Sequence, residues 1–135
     1  MALKTNIAGG YCIADETFTA NEDLSSSQNC VVVPAGSVTA GKSKVGLPSG
    51  QGVLAMGVLL NDPASGAQAE VRLLGNAKVI ANGTFNAGVE VTIAATTGKI
   101  EAASSGDYVI GIAKEAAAEA DQLVTVMLVG QYQKN

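Results

Sequence analysis

The chain contains no histidine and no tryptophan, and aromatic residues make up only 4% of its 135 positions. Without histidine it lacks the commonest general base and the commonest transition-metal ligand. Without tryptophan it lacks a flat platform for stacking a sugar ring. Charge is scarce too, at 15% of residues, and the formal net charge is −4. No lysine or arginine lies between Lys4 and Lys42, whereas Asp15, Glu16, Glu22 and Asp23 fall in that gap. No basic cluster interleaves with aromatics anywhere, which argues against a phosphate-tracking surface and so against nucleic-acid binding. The two cysteines, Cys12 and Cys30, do not have CxxC spacing. They read as one disulfide or, with no export signal in Met1–Asn6, as two small buried side chains. No apolar run approaches the roughly 18 residues of a membrane span, so cytoplasmic synthesis without a membrane partner is the expectation.

What is present is small and aliphatic. Sixteen glycines and a 47% hydrophobic content suit many short strands joined by tight turns. One unit is written twice. Met56-Gly57-Val58 leads to Val71-Arg72-Leu73-Leu74-Gly75, and Ile110-Gly111-Ile112 leads to Val126-Met127-Leu128-Val129-Gly130. The glycine-to-glycine spacings are 18 and 19 positions, a single-residue slip. Each unit reads as strand, excursion, strand. Val89, Val91 and Ile93 alternate with Glu90 and Thr92, a half-buried strand pattern. Asn61–Gly66, Asn82-Gly83 and Thr97-Gly98 supply turns. Cys30–Val33 reads as a buried strand ended by Pro34-Ala35-Gly36. The one helix candidate, Lys114–Asp121, spans too few turns to stand alone. Residues 1–28 lack a convincing period and read as an N-terminal arm or loop region, with an added strand around Tyr11-Cys12-Ile13 as the alternative, and 29–135 as a single β-domain. The fold expected is all-β: a small barrel or sandwich of seven or eight short strands, an extended N-terminal arm and at most one short helix.

Candidate chemistry fails on context. Gly36-Ser37-Val38-Thr39-Ala40-Gly41-Lys42-Ser43 matches the phosphate-binding loop pattern G-x-x-x-x-G-K-[ST]. That loop works only at the mouth of a helix, and Lys44-Val45-Gly46-Leu47-Pro48-Ser49-Gly50 would break one at once. Asp15, Glu16, Glu22 and Asp23 match no cation-binding spacing and read as a solvated acidic stretch. Glu90 with Glu101, or Asp107 with Glu115, could be posed as a hydrolase pair, but Glu90 sits on the polar side of an alternating strand. No serine has a histidine or an evident lysine to activate it. The expectation is no enzyme, with no catalytic, cofactor-binding or metal-binding residue and no cofactor.

From Val53 to Gly130 the chain resembles the small capsid decoration (cement) proteins of tailed bacteriophages. The resemblance runs through Val58–Asp62, Ala69–Gly75, Asn86–Val91, Thr97–Ile100, Tyr108–Ala113 and Val124–Leu128, in the order in which such proteins place them. Ala118-Glu119-Ala120-Asp121 stands where they often carry glycine, and residues 1–50 differ from their usual start. The resemblance implies a β-tulip-like virion protein without enzymatic activity. It would bind the major capsid protein on the outer surface of a mature phage head and stabilise contacts between subunits, as a homo-oligomer with a trimer favoured. The N-terminal arm would add a strand to a neighbour's sheet. The alternative is a glycan- or receptor-binding β-module displayed on a virion or fibre, which Tyr11, Tyr108 and Tyr132 leave open.

Overall fold

The computed structural model describes residues 13–37 and 43–135, among which there are nine strands and no helix. β1 (Ala14–Ala20), β2 (Val31–Ala35), β3 (Lys44–Gly46) and β4 (Gly57–Leu59) precede a long central strand, β5 (Gln68–Ile80). β6 (Glu90–Ile93), β7 (Ile100–Ala102), β8 (Tyr108–Ala113) and β9 (Leu123–Gln133) follow. The strand order is β1-β3-β2-β4-β5-β9-β8-β6-β7, and a further β1–β5 pairing rolls the first five strands into a closed barrel. Closure removes the sheet edges that would otherwise invite aggregation.

The second half closes in the same way. The C-terminal part of β5 pairs with β9 from Gly75↔Leu128 to Ile80↔Leu123. Ala81 then makes a parallel bridge to Ile100, just as Ala20 pairs in parallel with Val45 in the first barrel. The hydrogen bonds repeat as well. Asn21 N–H donates to the Val45 carbonyl at 2.8 Å, and Asn82 N–H to the Ile100 carbonyl at 2.7 Å. Gly66 N–H donates to Ala20 at 2.9 Å, and Asp121 N–H to Ala81 at 2.8 Å. The molecule is thus two copies of one barrel in tandem, with β5 ending the first and opening the second.

Burial follows the same duplication. Phe18, Ala20, Leu24, Val32, Val45, Leu59, Ala69 and Val71 form the first barrel's core. Their counterparts Val79, Ala81, Phe85, Val91, Ile100, Ala113, Val124 and Val126 all belong to the second. Side-chain identity changes while position inside the barrel does not, as expected where apolar character and total volume specify a core.

Gly57 and Gly111 occupy equivalent points, paired with Val32 and Val91. A Cβ on Gly57 would lie 2.3 Å from the Arg72 carbonyl oxygen, and one on Gly111 would lie 2.5 Å from that of Met127. The repeated glycines in the sequence are therefore sites of close backbone approach.

The described residues form nine strands where seven or eight were expected. Lys114–Asp121 is an irregular connection, within the expectation of at most one short helix: Ala117 exchanges hydrogen bonds with Phe85 across the barrel and is buried. Asp121 has a φ of 69° where its counterpart Gly66 has 83°, so a left-handed turn persists without glycine. The other difference concerns the opening stretch. Of residues 1–28, expected as an arm, those from Ala14 to Ala20 form β1, which is laddered to β5, and Phe18, Ala20 and Leu24 are buried.

Candidate functional site

Of the acidic residues singled out in the sequence, Asp15, Glu22 and Asp23 are engaged in local contacts. Asp15 accepts from Arg72 Nε at 2.8 Å and Nη2 at 3.1 Å, joining β1 to β5. That hydrogen bond holds the Asp15 carboxyl below its ordinary value. Glu22 accepts from the Leu47 N–H, and Asp23 from the Ser25 N–H. Glu16 is exposed on β1. Among the described residues no group of three or more of these side chains could hold a metal ion.

The two posed carboxylate pairs are also structural. Glu90 receives the Tyr132 hydroxyl and sits 3.1 Å from Lys134 Nζ, and both contacts, Tyr132 first, lower its pKa. Glu115 accepts from the Thr125 N–H at 2.8 Å and pairs with Lys78. In the first barrel the Asn61 side chain accepts the equivalent bond, from the Glu70 N–H. Glu115 therefore replaces a strand-bracing amide. Asp107 is buried and accepts from the Ser104 N–H, while Gln51 bridges it to Glu101.

The phosphate-loop look-alike lies between β2 and β3, with residues 38–42 outside the described residues. After Ser43 the chain enters β3, which pairs with both β1 and β2, so a strand occupies the place where a phosphate site needs a helix. Millimolar nucleotide is expected to leave the melting temperature unchanged in a thermal-shift titration. A clear upward shift would restore the nucleotide reading.

Between the barrels is a cavity of about 450 Å3, lined by Ser26, Ser27, Cys30, Leu47, Ile80, Thr97, Lys99 and Asp121. Burial pushes the Cys30 thiol above its ordinary pKa, which makes it a poor nucleophile. Lys99 and Asp121 are paired at 2.5 Å. Cys12, its possible disulfide partner, and Tyr11 lie outside the described residues.

The surface offers apolar contact instead. Leu123 pairs with Ile80, Thr125 with Lys78 and Met127 with Asn76 across β5 and β9, and Met127 also faces Ile112 of β8. Met127 is 43% exposed, Leu123 48% and Leu74 40%. An exposed sheet face carrying several large apolar side chains is the usual mark of a protein-contact surface. The sequence named no residue of this face as a site. The alternation along Leu123–Val129 was the available signal, since it leaves Leu123 and Met127 pointing outward while Val124, Val126 and Leu128 are buried.

Comparison with known proteins agrees with a contact role. The model of the phage cement protein family matches residues 17–128. No curated protein matches the chain. Among solved structures the chain is similar to the N base of the head fiber gp8.5 of bacteriophage phi29, with a TM-score of 0.68 and 19% identity over 87% of this chain and 95% of that one. At that identity the likeness concerns the fold. With most of both barrels inside the matched span, the chain belongs to the phage cement proteins, a family of structural virion components.

Proposed function

We propose that this protein decorates the outer surface of a mature phage head, binds the major capsid protein and stabilises contacts between neighbouring subunits, without catalysing a reaction. The family match over residues 17–128 carries this reading. The geometry is consistent with it: Asp15 and Glu115 brace strands, while Leu123 and Met127 are exposed on one face of the β5–β9 ladder. Small apolar patches bind weakly one at a time. Repetition over a shell, or three patches on one trimer, turns weak contacts into durable attachment.

Of the capsid-contacting arm expected over residues 1–28, positions 1–12 lie outside the described residues, and those from Ala14 to Ala20 supply β1 and part of the first core. The test mixes purified protein with bare expanded heads and images them by electron microscopy. Regular protrusions on the shell are expected with the full chain, and their loss after removal of residues 1–12. Unmarked heads together with binding to a sugar array would favour a displayed glycan-binding module instead. Protrusions that survive the truncation would move the contact from the arm to the barrels.

A further inference from the structure

The duplication supplies an internal comparison for one surface position. Asn82 follows the bridge of Ala81 to Ile100 as Asn21 follows the pairing of Ala20 with Val45. Each donates its N–H to the partner carbonyl, at 2.7 Å and 2.8 Å. The residue after Asn21 is Glu22, whose carboxylate accepts from the Leu47 N–H. The residue after Asn82 is Gly83, and nowhere else in the chain does asparagine precede glycine.

Neither of the demands that usually select glycine applies at Gly83. Its φ is not positive, and a Cβ added there would meet no atom within 4 Å. Asn82 is exposed, and among the described residues its carboxamide makes no hydrogen bond. The carboxamides of Asn29 and Asn61, in contrast, are tied: the first to the Lys78 carbonyl, the second to the Gln68 carbonyl and the Glu70 N–H. The Gly83 N–H also has no partner among the described residues. An uncrowded main-chain nitrogen thus stands beside a free side-chain amide.

We propose that Asn82-Gly83 is a self-modifying site, at which the folded protein slowly converts the Asn82 amide to a carboxylate without an enzyme. The Gly83 nitrogen attacks Asn82 Cγ and forms a bond to it. The Cγ–Nδ2 bond breaks, and ammonia leaves with the proton from the Gly83 nitrogen. Water then opens the cyclic imide. Opening at Cγ leaves aspartate at position 82, and opening at the main-chain carbonyl leaves the chain running through the side-chain carbon. Overall, water enters, ammonia leaves and nothing is oxidised or reduced. Glycine favours the attack because no side chain crowds its nitrogen. Either product makes the formal net charge one unit more negative than −4. The second also lengthens the main chain between two pinned points. These are Ala81, bonded to Gln122 and Asp121, and Phe85, which exchanges hydrogen bonds with Ala117. The inference concerns the pure protein and stands or falls apart from the capsid-binding reading.

The test incubates the purified full chain at mildly alkaline pH, which favours the attacking nitrogen, and samples it over days by tryptic mass mapping. Lys42, Lys44, Arg72 and Lys78 lie between Asn21 and Asn82, so the two asparagines fall in different peptides, and fragmentation distinguishes Asn82 from Asn86. The expected result is a steadily rising fraction of chains that carry the amide-to-acid mass gain at position 82. Asn21 and Asn86 should stay as they were in the starting sample. Gly83→Ala should suppress the gain, with Gly83→Ser in its place if that variant does not fold. The inference is overturned by a folded protein whose Asn82 stays intact for as long as the urea-unfolded chain takes to convert. It is equally overturned by conversion of Asn21 at the same rate, or by a folded Gly83→Ala variant that converts as fast as the parent.

Discussion

Gly111→Ala is expected to destabilise the protein by about 3 kcal/mol, at the upper end of the range for an overpacked site. For a chain of this size that is roughly 10 °C in melting temperature. The added methyl would lie 2.5 Å from the Met127 carbonyl oxygen and 2.7 Å from Val126 Cγ1. The carbonyl is backbone and cannot swing aside as a flexible side chain would. Relief would require β8 to move away from β9, opening the ladder that carries the second core. Gly57→Ala should behave alike, since its methyl would meet the Arg72 carbonyl oxygen at 2.3 Å. Gly83, where nothing lies within 4 Å, is the control, and Gly83→Ala should change stability by less than about 0.5 kcal/mol. Thermal unfolding followed by circular dichroism measures all three. If Gly111→Ala melted with the parent, the close approach at this point would be wrong.

Removal of residues 1–28 should have a still larger effect, leaving a chain that does not fold cooperatively. Truncating one buried phenylalanine costs about 3–5 kcal/mol, against a total of about 5–15 kcal/mol for a typical protein. This deletion removes Phe18 together with Ala20, Leu24 and the whole β1 ladder along β5. It also strips Arg72 of Asp15 and reopens the closed first barrel. Phe18→Ala in the full chain is the milder companion, expected to cost about 3–5 kcal/mol in urea unfolding. A fragment spanning 29–135 that unfolds in a single transition near the parent midpoint would show that β1 is dispensable.

Much of the strand pattern was legible because it follows alternation and glycine placement. The paired units at Gly57 and Gly111 were visible in the sequence, and they mark equivalent points of the two barrels. The wider duplication was hidden, since burial is shared between counterparts such as Phe18 and Val79, Leu24 and Phe85, or Leu59 and Ala113, but identity is not. β1 escaped detection because only its last residues face the core; Asp15, Glu16 and Thr17 lie exposed, so the apolar signal is too brief to read. β3 is three residues in a stretch rich in glycine and proline, and its strand conformation comes from pairing on both sides. The alternation along Leu123–Val129 hinted at the exposed apolar face, but only the register, with β9 set between β5 and β8, shows what flanks Met127. Composition set the expectation that no reactive constellation is present, and the structure adds strand- and loop-bracing contacts for Asp15, Glu22 and Glu115.

The thirteen residues of β5 belong to both barrels, so no flexible tether separates the duplicated halves. One half cannot swivel against the other to suit a flatter or more curved shell. A protein built in this way offers a rigid spacing between its two ends, and accommodation to local differences in the lattice falls to whatever lies outside the barrels or to the shell itself.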